Sequence, residues 1–247
     1  NKYMIEGNLR YDGTSRFRRD NRWVWTPSVS LGWNIAHENF WESLRDIVST
    51  LKLRASYGKL ANQNTTSWYP TYVTMPLGTA NGSWLINGQR PNTANAPGLV
   101  STDLTWEKVQ TTNIGLDIAM LQNRLNVVFD WYIRDTKDMI GPAPVLPATL
   151  GTDPPRMNNT DLRTRGWELS INWQDRLAMG LGYRIGLTLS DARTEITNYP
   201  STNRALDKYY TGKKMGQIWG YTTIGIAKTD EEMQQHLASL PKGGKKV

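Results

Sequence analysis

The sequence predicts an all-β chain, an antiparallel up-and-down set of strands that cross a membrane, with one short helix near its C-terminal end. Three observations carry this. Apolar and polar residues alternate with a period of two, the side-chain period of a strand, over segments that reach the length of a tilted bilayer crossing. Aromatic usage is skewed to 11 Trp and 11 Tyr against 3 Phe, favouring rings with a polar handle that suit an apolar–wet boundary. Short and long connections alternate between the segments.

Taken in order, the first segment, 2–12, sets Tyr3, Ile5, Leu9 and Tyr11 against Lys2, Glu6, Asn8, Arg10 and Asp12, and Asp12-Gly13 signals a turn. The second, "NRWVWTPSVSLGWNIA" over 21–36, is apolar at Trp23, Trp25, Pro27, Val29, Leu31, Trp33 and Ile35. A compact link over 36–50 holds one helical turn. Alternation resumes at 51–58, 113–120, 125–136, 166–174 and 181–190, and more weakly at 216–226, making about eight strands. Residues 68–76 add a short pair within a loop. Residues 121–124 and 175–180 are tight turns, whereas 12–21, 60–105, 137–165 and 191–215 are long polar loops. One end of the sheet therefore carries short turns and the other long loops. The predicted helix is 230–239, where Thr229 and Glu232 fit a capping box.

The polar set is small residues with isolated charges, as in a packed wet interior. Its charged members, Arg10, Arg22, Lys52, Arg54, Asp117, Asp130, Glu168 and Arg184, are expected to face a lumen. Trp23, Trp25, Trp33, Trp131, Trp167 and Trp173 are expected to face lipid as girdles around an apolar belt. The competing reading is a soluble β-sandwich that binds carbohydrate, which also alternates. No apolar stretch is long enough for a transmembrane helix. The N-terminus lacks the apolar region of a signal peptide and opens inside a strand, so the chain is expected to be a piece of something longer.

Catalysis is not expected. Cysteine is absent, the two histidines, His37 and His236, sit apart among polar residues, and no carboxylate spacing singles out an acid–base pair. No cofactor, metal or catalytic residue is assigned. The net charge is +7, but Lys and Arg are scattered, so no nucleic-acid partner is expected. The candidate substrate contacts are the aromatics of the longest loop, Trp68, Tyr69, Tyr72 and Trp84, which would stack on the apolar face of a sugar.

"EGNLRYDGTSRF", "TPSVSLGWNI", "LKLRASYGKLANQ", "LTWEKVQTTNIGLDIAMLQNRLNVVFDWYIRDTKDMI" and "RGWELSINW", in this order, resemble the barrel of the SusC/RagA family of TonB-linked outer-membrane transporters. The resemblance implies a closed barrel of about 22 strands with a plugged lumen, in the outer membrane of a Gram-negative bacterium. It implies a SusD-like surface lipoprotein as lid, energy from TonB–ExbB–ExbD acting near the plug, and import of an oligosaccharide or peptide. Residues 1–247 are then expected to be part of that barrel, with the signal peptide, plug and terminal strands lying outside them.

Overall fold

The structure is a computed structural model that describes residues 1–65, 67–75, 77–78, 85–94, 97–141, 147, 149, 152, 154–201 and 209–240. Two compact units partition the chain, Asn1–Met215 and Gly216–Val247. The first holds β1 (Tyr3–Gly13), β2 (Trp23–Asn34), β3 (Val48–Asn62), β4 (Leu77–Gly78), β5 (Thr93–Ala94), β6 (Glu107–Met120), β7 (Leu125–Gly141), β8 (Met157–Arg176) and β9 (Gly182–Asn198). Among the described residues, seven of these strands form one antiparallel sheet in the order β1-β2-β3-β6-β7-β8-β9. The sandwich reading needs two facing sheets, and the described main strands make a single layer.

Each side of the sheet is homogeneous because the register keeps like residues opposite one another. One side aligns Trp33, Leu53, Leu116, Phe129, Leu169 and Leu189 in a single row. The other aligns Asn34, Lys52, Asp117, Val128, Ser170 and Thr188. A slip of one residue would exchange the two sides, so this patterning holds the pairing in place. The apolar side is open: Ile5 is 79% exposed and Leu187 51%.

The connections sort by end, as expected. The link after β2 is two 3-10 turns, Ile35–His37 and Asn39–Leu44. It lies at the same end as the 121–124 and 177–181 turns, while the long segments after β1, β3 and β7 lie at the other. The loop end carries its own core, Phe17, Val24, Leu104 and Trp106, with Ala61 and Ile140 packed against it.

Three expectations change. The strands extend further toward the loop end than their alternation indicates: β8 spans Met157–Arg176 and β9 reaches Asn198. The small pair is not at 68–76 but joins Leu77–Gly78 to Thr93–Ala94. Residues 216–226 form no strand: Lys214 bridges Glu195, then Gly216 at φ +77° ends the extended path. Glycines 216, 220 and 225 deprive that stretch of side chains to pack, which weakens a strand there. In the second unit, α1 (Asp230–Ser239) starts as expected, its Thr229 hydroxyl accepting from the Glu232 N–H at 3.3 Å.

Candidate functional site

On the polar side, Arg54 gathers two of the expected lumen residues. Its guanidinium donates to Asp117 at 2.8–3.1 Å and to Asp130 at 3.1 Å. The reach depends on Gly115, which lies opposite Arg54: a Cβ there would stand 2.5 Å from the Asp130 carboxylate and 2.7 Å from the Arg54 guanidinium. Lys52 lies opposite Asp117, and Glu168 opposite Asp130, so two cations and three carboxylates occupy neighbouring positions on four strands. Gly166 has a similar part, since a Cβ there would meet the Tyr132 ring at 2.6 Å.

The other expected lumen residues stand apart. Arg10 pairs with Asp12 on its own strand at 2.7 Å. Arg184 donates to Gln174 at 2.9 Å near the short-turn end. Arg22 precedes β2 and sits in the loop-end turn instead of on the strand, because its carbonyl is taken by Thr14 and by the Trp106 indole.

The expected lipid-facing tryptophans all lie on the apolar side and fall at two levels. Tyr11 stacks on Trp23 and Trp25, with centroids 5.0 and 4.3 Å apart, near the loop end. Trp131 and Trp167 are register partners. At the short-turn end, the Trp173 indole donates to the Tyr183 hydroxyl at 3.2 Å, and the Trp33 indole donates to Glu38 at 3.2 Å. Glu38 also accepts from the Tyr3 hydroxyl at 2.7 Å and from Lys2 at 3.2 Å. These donors, Tyr3 foremost, hold the Glu38 carboxyl below its ordinary range.

The two aromatic levels also measure a slant. Trp25 and Trp33 bracket β2 about Val29, and Trp167 and Trp173 bracket β8 about Ser170. The register carries Val29 through Tyr57, Thr112 and Ile133 to Arg165. The bracketed centre has therefore moved from 165 to 170, five residues, over four inter-strand steps. At roughly 3.3 Å per residue and 4.8 Å per strand, that is about 17 Å of drift across about 19 Å, a slant of about 40°.

At the loop end, Trp68, Tyr69 and Tyr72 are exposed. The Arg16 guanidinium lies over the Trp68 ring at 4.4 Å and is held there by the Gln63 carbonyl and the Thr65 hydroxyl. Tyr69 and Tyr72 meet edge-on at 6.2 Å. A cleft of about 240 Å³ lies between Pro70, Leu104, Ile140 and Arg156. Trp84 lies outside the described residues.

Sequence reasoning missed the structure beneath these rings. The Trp106 indole donates to the Arg22 carbonyl at 3.1 Å, and Phe17 meets Trp106 edge-on at 5.8 Å. Asn158 exchanges hydrogen bonds with the Thr105 backbone, and Glu107 accepts from Asn62 and from the Ile140 N–H. The signal available was the Leu-x-Trp-Glu run at 104–107, which carried the family resemblance without showing its contacts.

A family model for the β-barrel of TonB-dependent receptor-like proteins matches residues 1–228. The chain belongs to this family. It is 30% identical over 233 residues to a TonB-dependent receptor of Formosa agariphila, covering 93% of this chain and 22% of that protein. It is 31% identical over 199 residues to the TonB-dependent receptor SusC of Bacteroides thetaiotaomicron, covering 80% of this chain and 19% of that one. A solved structure of the RagAB peptide transporter superposes with a TM-score of 0.67 at 25% identity, covering 80% of this chain and 21% of the other. The SusC/RagA resemblance is thereby borne out, as is the outer-membrane location it carries. The chain spans about a fifth of the length of these relatives. It is a segment of a TonB-dependent receptor-like β-barrel.

Proposed function

We propose that this chain is a middle-to-late section of the barrel wall of an outer-membrane importer, with its apolar side in lipid, its polar side in the lumen and its long loops outside the cell. The observation that carries this is the slanted apolar belt: about 40° falls within the 35–45° tilt of strands in outer-membrane barrels. The Arg54–Asp117–Asp130 group then forms a mixed-charge wall against a plug formed by chain outside these residues.

The cargo is an oligosaccharide. Trp68, Tyr69 and Tyr72 offer exposed ring faces at the loop end, and stacking on a sugar's apolar face is the recognition they suit. Arg16 lies over the Trp68 ring, which still keeps 73% of its surface exposed. A SusD-like lipoprotein covers the loops, and TonB–ExbB–ExbD energises transport through the plug. A peptide cargo is the second reading, favoured by the similarity to the RagAB peptide transporter.

The test uses the full-length receptor. Uptake of labelled oligosaccharides and oligopeptides is measured in cells with and without TonB, and with Trp68→Ala/Tyr72→Ala. TonB-dependent glycan uptake that the double variant reduces supports the reading. TonB-dependent peptide uptake alone replaces glycan by peptide. Uptake indifferent to TonB overturns it.

A further inference from the structure

Above Trp131 and Trp167 the apolar side of the sheet changes character. The next outward positions of β8 are Arg165 and Arg163, and across from them on β9 stand Arg193 and Glu195. Lys214 bridges Glu195 and so joins the same side. These residues and the two tryptophans line a cleft of about 320 Å³. Part of the charge is internally matched: Arg163 donates to Asp135 at 2.6 and 2.9 Å, and Arg193 lies 3.3 Å from Asp191. Arg165 and Lys214 are exposed and make no ion pair or side-chain hydrogen bond among the described residues.

We infer that this cleft binds the phosphate-bearing headgroup of an outer-leaflet lipid, with Arg165 and Lys214 on the phosphate and Trp131 and Trp167 at the headgroup–acyl boundary. Arginine and lysine beside a membrane boundary attract anionic headgroups, each contributing about 1 kcal/mol near the surface. The guanidinium fork suits phosphate oxygens. What points to a lipid and not to a free anion is continuity: the cleft opens directly onto the belt, where Leu169 and Leu189 are register partners below Trp167 and Asp191. A ligand with a charged head and an apolar chain meets both halves. The matched pairs Arg163–Asp135 and Arg193–Asp191 hold the cleft's sides, and Glu195 stands opposite Lys214, so Arg165 and Lys214 together leave the group one positive charge in excess.

This inference rests on the outward assignment of the apolar side proposed above. The test uses the full-length receptor purified in detergent. Binding of lipid A and of phosphatase-treated lipid A is measured by native mass spectrometry for wild type, Arg165→Ala/Lys214→Ala, Arg165→Lys and the polar-side control Arg184→Ala. The double variant is expected to bind lipid A about thirtyfold more weakly, with Arg165→Lys between it and wild type, Arg184→Ala near wild type, and phosphatase-treated lipid A indifferent to all variants. Heat-modifiable gel mobility establishes that each variant is folded. Unchanged lipid A affinity in the folded double variant overturns the proposal. So does displacement of lipid A by equimolar inorganic phosphate, which would make this a free-anion site, or loss of a co-purifying lipoprotein in place of lipid, which would make it a protein contact. The outward assignment is read separately, by brominated-lipid quenching of a bimane label at Leu187→Cys. Quenching with unchanged lipid A affinity sinks the lipid site alone; absence of quenching sinks both.

Discussion

The belt and the loop end of the sheet are built from the same strands and solve opposite problems. In the belt, the apolar side stays open along every strand, and Ile5, Leu31 and Leu187 keep half or more of their surface exposed. At the loop end, Phe17, Leu104 and Trp106 are buried to 1%, 4% and 5%, closed over by chain segments more than eighty residues apart. In the proposed orientation the belt is buried by lipid, where apolar surface costs nothing. The loop end stands in water and must make its own core. The boundary runs across β8 between Arg165 and Trp167, two successive residues of one side of one strand.

The largest effect is expected at the loop end of the full-length receptor. Trp106→Ala removes a buried ring and the donor to the Arg22 carbonyl. The expected loss is about 3–5 kcal/mol, seen as faster hydrogen exchange at Thr14 and Asn21 with belt amides unchanged. Equal acceleration in the belt would mean that the two regions are one cooperative unit.

Next comes the belt, where Leu187 and Thr188 differ only in side. Leu187→Arg should cost roughly 2–4 kcal/mol in reversible unfolding from lipid, whereas Thr188→Arg on the wet side should leave assembly intact. Equal effects, or a worse Thr188→Arg, would show the sides to be wrongly assigned.

The polar side gives a smaller effect. Gly115→Ala places a Cβ where Arg54 crosses to Asp130 and should cost about 1–3 kcal/mol as that group is displaced. Gly7→Ala, with nothing within 4 Å of the added carbon, is the neutral comparison. Similar unfolding midpoints for the two would remove the Arg54 group as a reason for Gly115.

The smallest effect is at Glu38. Its carboxyl is lowered in the folded protein by Tyr3, Trp33 and Lys2, so between the folded and unfolded values the unfolded chain binds more protons. Its contribution is therefore present at neutral pH and is lost as pH falls through the lowered value. An acid titration of unfolding stability should lose this component in Glu38→Gln, and an identical profile in the variant would sink the assignment.

How much of this was legible in the sequence follows from the same boundary. Alternation in β8 is readable at Trp167, Leu169, Ile171 and Trp173, where one side is apolar and the other polar. It vanishes over Met157–Gly166, where charged and polar residues occupy both sides, yet the strand continues by pairing with β7 and β9. At the candidate site, the charged residues of the polar side were legible, but not that Arg54 would gather Asp117 and Asp130 through the gap at Gly115. The loop aromatics were legible as exposed rings; the Phe17–Trp106 core beneath them was not, because its members come from loops distant in sequence.

The sequence by itself determined the strands of the belt, the two sides of each, the alternation of short and long connections and the cap of α1, because each is a local property: which solvent a side chain prefers, or which neighbour a hydroxyl can reach. Only the tertiary structure decided how far the strands run above the belt, which charges meet, and that 216–226 forms no strand despite its alternation. A strand exists only where a partner offers its backbone in register, and an ion pair only where two strands bring it within reach. Those conditions belong to pairs of distant segments, and no single stretch of sequence records them.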